Sequence, residues 1–156
     1  MRQIGPIAIL IALLDQITKL LVVRRIDPDL PVPVLDGFFR LVNWGNTGAA
    51  WGLFQNSNLI LAGISVVTLV VICLFRRSFQ IHLLGCKIAL GLIAGGIAGN
   101  VVDRFRYGYV VDFLDFSFRG HHWPAFNVAD SAICVGVGIY LVATWRDEHR
   151  RPQSAA

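Results

Sequence analysis

The 156-residue chain is 55% hydrophobic, has only 15% charged residues and carries a formal net charge of +4. Soluble domains usually contain about a quarter charged residues, so this composition excludes an ordinary soluble domain and indicates lipid as the surrounding solvent. The basic residues form no continuous run and lie mainly at the ends of apolar segments, as membrane anchors do. No nucleic acid is therefore expected as a partner.

Four apolar segments predict an all-α membrane protein with four transmembrane helices. We predict these helices over residues 4–23, 59–75, 83–102 and 128–145, within one domain that spans residues 1–156. At about 1.5 Å per residue, each segment is long enough to cross the hydrocarbon core of a bilayer. The first segment is interpreted as a retained helix, because Asp15 and Lys19 interrupt it and no small-residue cleavage motif follows.

The two long loops, about 24–58 and 103–127, are expected on one side of the membrane, opposite both termini. Alternating residues in "GFFRLVNW" (37–44) predict a short strand or two at the membrane surface. Aromatic residues of these loops are expected to form a platform and lid at the level of the lipid headgroups: Phe38, Phe39, Trp44, Trp51 and Trp123. Six arginines fall on each side, so the positive-inside rule does not set the orientation.

Polar residues inside the first helix need a partner in lipid. Asp15 and Lys19 stand four residues apart and share a helix face. We interpret them as a structural ion pair that fixes the first helix against its neighbours, with direct participation in chemistry as the alternative.

The third helix combines a small-residue face with a polar one. Gly91, Gly95 and Gly99 repeat every four residues, the pattern that lets membrane helices approach closely. A neighbouring face carries Gly96, Asn100, Asp103 and Arg104. Asp103 is expected to cap the helix at the interface, whereas Asn100 lies a turn deeper and is expected to orient another group.

Carboxylates also lie where the fourth helix begins. Asn127 fits the N-cap position, which places Asp130 at N3 in an arrangement like a capping box. A second carboxylate in an apolar frame comes from "YGYVVDFLDF" (107–116), which offers both Asp112 and Asp115. Two Asp side chains that meet in a cleft of low dielectric share one proton, which is how aspartic peptidases activate water.

Other chemistries find little support in the sequence. The cysteines lie in apolar runs without metal-type spacing, and the adjacent His121 and His122 are unsuited to binding one metal ion together. The sequence has no GxSxG motif, and no serine is expected near a histidine. We expect neither a metal nor a cofactor.

Five segments resemble the lipoprotein signal peptidases, the signal peptidase II family of bacterial inner-membrane aspartic peptidases. They are "DQITK" (15–19), "NTGAAWG" (46–52), "GGIAGNVVDR" (95–104), "VVDF" (110–113) and "FNVADSAI" (126–133), in the family's order and at its approximate spacing. The resemblance implies that Asp112 and Asp130 form the catalytic pair, in preference to Asp115. It also implies substrate-positioning roles for Asn46, Gly48, Ala50, Gly96, Asn100, Arg104, Asn127 and Ala129.

The resemblance further implies an endopeptidase that frees signal peptides from diacylglyceryl-modified prolipoproteins by cutting just before the lipidated cysteine. The expected protein is a monomer in the bacterial inner membrane, contacts membrane lipid, binds inhibitors of the globomycin type and uses no cofactor. Its termini would be cytoplasmic and its site near the outer leaflet. A small proton-coupled transporter and a non-catalytic assembly protein of the same fold are the alternatives, although a relay needs polar residues across the whole bilayer depth.

Overall fold

The computed structural model describes residues 3–49 and 53–150. Four long helices dominate this part of the chain: α1 (Ile4–Arg25), α2 (Asn58–Phe75), α3 (Leu84–Tyr107) and α4 (Val128–Arg150). A short 3₁₀ turn, Arg76–Ser78, follows α2. All four helices are long and apolar enough to cross a membrane, which confirms the predicted fold class.

The helix surfaces are those expected of a chain in lipid. Ala62 is the buried residue of α2, while Leu59 and Leu74 at its two ends are 79% and 71% exposed. In α1 the buried residues are Asp15, Lys19 and Val22. Because the apolar side chains face outward and polar ones face the other helices, the solvent around these helices must itself be apolar.

Helix α3 lies at the centre of the bundle and packs against the other three helices. Its glycines allow this: a Cβ at Gly91 would lie 2.7 Å from Ile7 Cβ, and one at Gly95 would lie 2.6 Å from the Ala8 carbonyl oxygen. On another face, a Cβ at Gly96 would collide with the Ala129 carbonyl oxygen of α4. The small residues therefore let α1 and α4 approach α3 at backbone distance.

A four-stranded antiparallel sheet covers one end of the bundle. Its strands, in spatial order, are β1 (Val32–Leu35), β2 (Phe39–Asn46), β3 (Val110–Phe118) and β4 (His121–His122). Since β2 comes from the first long loop and β3 from the second, the sheet holds both loops on the same side, as the sequence predicted. Val22 of α1 packs with Val111 and Phe113 of β3, which joins the sheet to the helices.

The register between β2 and β3 positions the side chains of interest. Arg40 is the cross-strand partner of Asp115, and Trp44 is the partner of Asp112. Between these pairs β2 has one residue more than β3, which makes a bulge between Leu41 and Trp44.

Three sequence-based expectations need correction. The third helix does not end near residue 102 but continues to Tyr107 and stops at Gly108, which adopts φ +80°. Asp103 therefore does not cap a helix at the interface; it is fully buried. The 103–127 segment, expected as a loop, contains the nine-residue strand β3, whereas the strand expected in "GFFRLVNW" is confirmed as β2.

Candidate active site

The first turn of α4 forms a reciprocal capping box. The backbone N–H of Asp130 donates to Asn127 Oδ1 at 2.9 Å, and the backbone N–H of Asn127 donates to Asp130 Oδ2 at 3.3 Å. This is the arrangement predicted from the spacing of the two residues. It fixes the Asp130 carboxylate at the mouth of the helix.

Asp112 reaches the same place from β3. Its Oδ1 accepts a hydrogen bond from Asn127 Nδ2 at 2.8 Å, and its Oδ2 accepts one from Asn46 Nδ2 at 3.0 Å. Asn127 thus donates its backbone N–H to Asp130 and its side-chain N–H to Asp112. A single residue therefore holds both carboxylates in one hydrogen-bonded unit.

The surroundings of Asp112 favour its protonated form. The side chain is only 4% exposed, and burial, followed by the nearby charge of Asp130, raises the pKa of Asp112 to about 7, although the hydrogen bonds from Asn46 and Asn127 act in the opposite direction. Desolvation and a like charge both disfavour a second negative charge. Near neutral pH this carboxyl group can therefore hold a proton.

A third asparagine orients Asp130 from the centre of the bundle. Asn100 Nδ2 donates to Asp130 Oδ1 at 2.8 Å, while Asn100 Oδ1 accepts from Lys19 Nζ at 2.8 Å. Because an ammonium group can only donate, it fixes which end of the Asn100 amide faces Asp130. The sequence-based expectation that Asn100 orients another group agrees with this contact.

Lys19 is the centre of a buried charge cluster. Its Nζ lies 2.8 Å from Asp15 Oδ2 and 2.8 Å from Asp103 Oδ2. Gln16 Nε2 donates to Asp103 Oδ1 at 2.8 Å, and Asp15 Oδ1 accepts the backbone N–H of Ala129 at 2.9 Å. The cluster thus connects α1 and α3 to the start of α4, directly behind the two carboxylates.

The two carboxylates open into a cavity of about 770 Å³. The cavity is lined by both carboxylates and by several predicted positioning residues, together with aromatic ones: Asp112, Asp130, Asn46, Gly48, Asn100, Arg104, Trp44 and the segment Trp123–Phe126. Asn127 is fully buried behind this surface. Gly96 and Ala129 do not line the cavity but form the tight contact between α3 and α4. Ala50 and Trp51 lie outside the described residues.

Arg104 crosses the cavity from α3 towards the loop that follows β2. Its guanidinium donates to the carbonyl oxygen of Gly48 at 3.3 Å and to that of Asn100 at 3.4 Å, both long contacts. Its Nε is buried and has no hydrogen-bond partner. The two terminal guanidinium nitrogens make only these long contacts, so they retain donor capacity towards a bound molecule.

Sequence reasoning missed several residues that shape this site. Gln16 and Asp103 were not expected in the Lys19 cluster, although both stand beside polar residues that were singled out. Asp115 forms an ion pair with Arg40 Nε, and its Oδ1 lies 3.2 Å from His122 Nδ1. Strand pairing brings Asp115 beside Arg40, and the packing of α1 on α3 brings Gln16 to Asp103. No local spacing in the sequence signals either contact.

The expected aromatic platform forms only in part. Trp44 and Trp123 line the cavity. Phe39 stacks on Phe116 with ring centroids 4.6 Å apart, and Phe38 meets the same ring edge-on at 5.6 Å. These two phenylalanines stabilise the sheet away from the cavity.

The chemistry open to this arrangement is proton transfer around a water molecule. One carboxyl group with a pKa near neutrality beside a second carboxylate supplies an acid and a base at one point. Within residues 3–49 and 53–150, no three His, Cys, Asp or Glu side chains are grouped so that they could hold a metal ion.

Comparisons with known proteins find relatives over most of the chain. A family model described as signal peptidase (SPase) II matches residues 7–146. A lipoprotein signal peptidase of Syntrophotalea carbinolica is 44% identical, with 90% of this chain and 89% of that protein covered. The lipoprotein signal peptidase of Geobacter sulfurreducens is 43% identical with 88% of each covered, and that of Bacillus pumilus is 40% identical with 95% and 96% covered.

Solved structures show the same fold. A structure described as a bacterial membrane enzyme superposes with a TM-score of 0.85 at 28% identity, covering 96% of this chain and 92% of the other. A second, with the same description, gives a TM-score of 0.74 at 28% identity, covering 90% and 91%.

Proposed function

This chain belongs to the signal peptidase II family, and we propose that Asp112 and Asp130 are the two carboxylates with which it cleaves its substrate. The protein is an aspartic endopeptidase that removes signal peptides from prolipoproteins, and it is an integral protein of the inner membrane. The observation that carries the assignment of the two residues is their shared hydrogen bonding to Asn127 at the wall of one cavity.

In the proposed reaction, the pair begins with one shared proton and one bound water molecule. Asp112 holds the proton, because its pKa is raised to about 7. Asp130 accepts a proton from the water as the water oxygen bonds to the scissile carbonyl carbon, and Asp112 donates its proton to the carbonyl oxygen. The products of this step are a tetrahedral diol, an ionised Asp112 and a protonated Asp130.

Collapse of the diol restores the starting state. Asp130 donates its proton to the amide nitrogen as the carbon–nitrogen bond breaks, and Asp112 takes back a proton from a diol hydroxyl. The peptide leaves with a new carboxyl group and the other fragment with a new amine. No covalent enzyme intermediate forms at any point.

The residues around the pair have positioning roles in this proposal. Asn46, Asn100 and Asn127 hold the carboxylates through neutral donors, which orient them without removing the shared proton. Arg104 lines the cavity and makes only two long hydrogen bonds through its terminal guanidinium nitrogens, so these nitrogens can donate to a substrate carbonyl or a lipid oxygen. Gly48 lets the loop after β2 fold closely on itself, since a Cβ there would lie 2.7 Å from the Leu53 carbonyl oxygen.

The substrate is proposed to be a prolipoprotein whose cysteine carries a diacylglyceryl thioether, cut on the amino side of that cysteine. A cavity at the sheet-covered end of a helix bundle is open to a lipid-bearing chain that enters sideways from the bilayer. We place both termini in the cytoplasm and the sheet at the outer leaflet, with the protein acting as a monomer. Labelling of a cysteine introduced at residue 120 with a membrane-impermeant reagent tests this orientation.

The decisive experiment measures cleavage of a lipid-modified prolipoprotein by purified protein in detergent. Asp112→Asn and Asp130→Asn should each reduce kcat by about 10²–10⁴-fold, because each removes one partner of the proton transfer. Asp36→Asn, at an exposed position in the β1–β2 turn, is the matched control and should cleave normally.

Two outcomes would contradict the proposal. Substantial turnover by either dyad variant would remove that residue from the catalytic pair. A wild-type protein that left the prolipoprotein intact would contradict the substrate assignment. An inhibitor of the globomycin type should block wild-type cleavage by occupying the same cavity.

A further inference from the structure

Asp115 is a buried carboxylate that the proposed reaction does not use. It lies in β3, three residues beyond Asp112, and is only 1% exposed. Its Oδ2 forms the ion pair with Arg40 Nε, and its Oδ1 accepts a hydrogen bond from His122 Nδ1 at 3.2 Å. One carboxylate therefore joins β2 to β4 across the strand that lies between them.

The Arg40 side of this contact leads to the cavity. The guanidinium carbon of Arg40 lies 5.5 Å from the centre of the Trp44 ring, a cation–π contact. Trp44 lines the cavity and is the cross-strand partner of Asp112. Since the bulge between Leu41 and Trp44 interrupts the ladder here, the Arg40 side chain supplies a contact that the backbone does not.

The His122 side leads to the opposite wall. The chain from Trp123 to Phe126 follows β4 directly, and each of its residues lines the cavity. Its backbone is fastened to β3 on both sides of Asp115: Trp123 N donates to the Phe116 carbonyl oxygen at 2.8 Å, and Phe126 N donates to that of Leu114 at 3.1 Å. His122, the residue before Trp123, provides the side-chain link to Asp115.

We propose that Asp115 is a positioning residue for substrate binding. Through Arg40 it positions Trp44, which lines one wall of the cavity, and through His122 it positions the segment Trp123–Phe126, which lines the opposite wall. The inference rests on the proposed function, because the cavity must receive the prolipoprotein. Asp115 acts through these two walls and not on the reacting atoms, because its partners are Arg40 and His122. The side chains that hydrogen-bond to Asp112 are different ones, Asn46 and Asn127. Asp115 therefore affects how tightly the cavity binds its substrate and does not affect the step of bond cleavage.

A charged residue suits this role better than an apolar one. Arg40 is one-third exposed and His122 about one-half exposed, so neither side chain is held by burial alone. A carboxylate with two oxygens offers each of them a directional acceptor, which sets the direction of both side chains at once. An apolar residue at 115 would fill the same volume but leave the direction of Arg40 undefined.

The test separates KM from kcat with a lipid-modified prolipoprotein as substrate. Asp115→Asn keeps the size of the side chain but removes its charge, and it should raise KM about fivefold while kcat stays within about twofold of wild type. His122→Ala, at the solvent side of the cluster, should raise KM in the same direction while the ion pair between Arg40 and Asp115 stays in place. His121→Ala is the matched control, since His121 is the exposed neighbour in the same strand, and it should leave both constants unchanged.

A comparison in a second background shows whether Asp115 changes KM through the side chains of Trp44 and Trp123. In a chain that carries Trp44→Ala and Trp123→Ala, adding Asp115→Asn should raise KM no further. A purely structural Asp115 would instead lower thermal stability and add its effect in either background. An unchanged KM in Asp115→Asn and His122→Ala, or a fall in kcat at constant KM, would overturn the inference. Failure of wild-type protein to cleave would overturn the proposed function itself, so the two failures are distinguishable.

Discussion

Asp112 and Asp115 lie three residues apart in one strand, yet their partners give them different properties. Asp112 meets neutral amides and another acid, so its pKa rises to about 7. Asp115 instead forms an ion pair with the guanidinium of Arg40. The sequence offers both residues in the same apolar frame and cannot separate them by pattern. The preference for Asp112 came from the family resemblance, and its catalytic role stays a prediction.

The pH dependence of cleavage should report the hydrogen bond from Asn46. This bond favours the ionised form of Asp112, so its removal in Asn46→Ala raises the pKa of Asp112 further. Because Asp112 must hold its proton for catalysis, activity is lost as pH rises through this pKa. The alkaline limb of the kcat/KM profile, expected near pH 7 in wild type, should therefore move up by about one pH unit.

A matched control for this shift is Asn43→Ala. Asn43 lies in the same strand but donates its side-chain N–H to the Ile26 carbonyl oxygen at 2.9 Å, away from both carboxylates. The alkaline limb of the kcat/KM profile of Asn43→Ala should coincide with that of wild type. A limb that stayed at the wild-type pH, or moved to lower pH, in Asn46→Ala would show that this hydrogen bond does not set the titration of the pair.

At the scale of elements, hydropathy predicted the four helices but not their ends. The length of an apolar segment is sufficient to predict a helix in lipid. The end of α3 lies beyond its apolar segment, because Asp103 forms an ion pair with Lys19 inside the bundle. Strand β3 escaped prediction for a related reason. Its first four residues, Val110–Phe113, are all buried, so the alternation by which a half-exposed strand is recognised is absent.

Packing between α1 and α3 gives a prediction for the stability of the bundle. In Gly95→Ala the new Cβ would lie 2.6 Å from the Ala8 carbonyl oxygen and 2.8 Å from Ile11 Cβ, so the two helices must separate. The free energy of unfolding should fall by about 1–3 kcal/mol, measured as a lower Tm in detergent.

The control for this substitution is Gly138→Ala in α4, where a Cβ meets no atom within 4 Å. Alanine favours a helix interior over glycine by about 1 kcal/mol, so this variant should be as stable as wild type or slightly more stable. Equal losses of stability in both variants would show that glycine flexibility matters here, and the close approach of α1 to α3 does not.

For the whole molecule, the buried charges add ion pairs and hydrogen bonds to the close packing of the helices. The sequence predicted the Asp15–Lys19 pair from its spacing within one helix. It could not predict that Asp103 and Asn100 also contact Lys19, because they lie more than eighty positions away and only the packing of α1 against α3 brings them near. Lys19 therefore connects the stability of the bundle to the orientation of Asp130 through Asn100.

Replacement of Lys19 should consequently affect stability and activity together. Lys19→Met leaves Asp15 and Asp103 as buried carboxylates without their shared cation, which should cost about 3–5 kcal/mol of folding free energy. It also frees the Asn100 amide to rotate, so the folded fraction should have a lower kcat. Both are measurable in detergent, as Tm and as turnover per folded protein.

Lys87→Met is the matched control, because Lys87 is the only other lysine of the chain and lies in the first turn of α3. Restoration of Tm without kcat on adding Asp15→Asn and Asp103→Asn would separate the two roles, whereas a Lys19→Met variant as stable as Lys87→Met would show that the cluster does not hold the helices together.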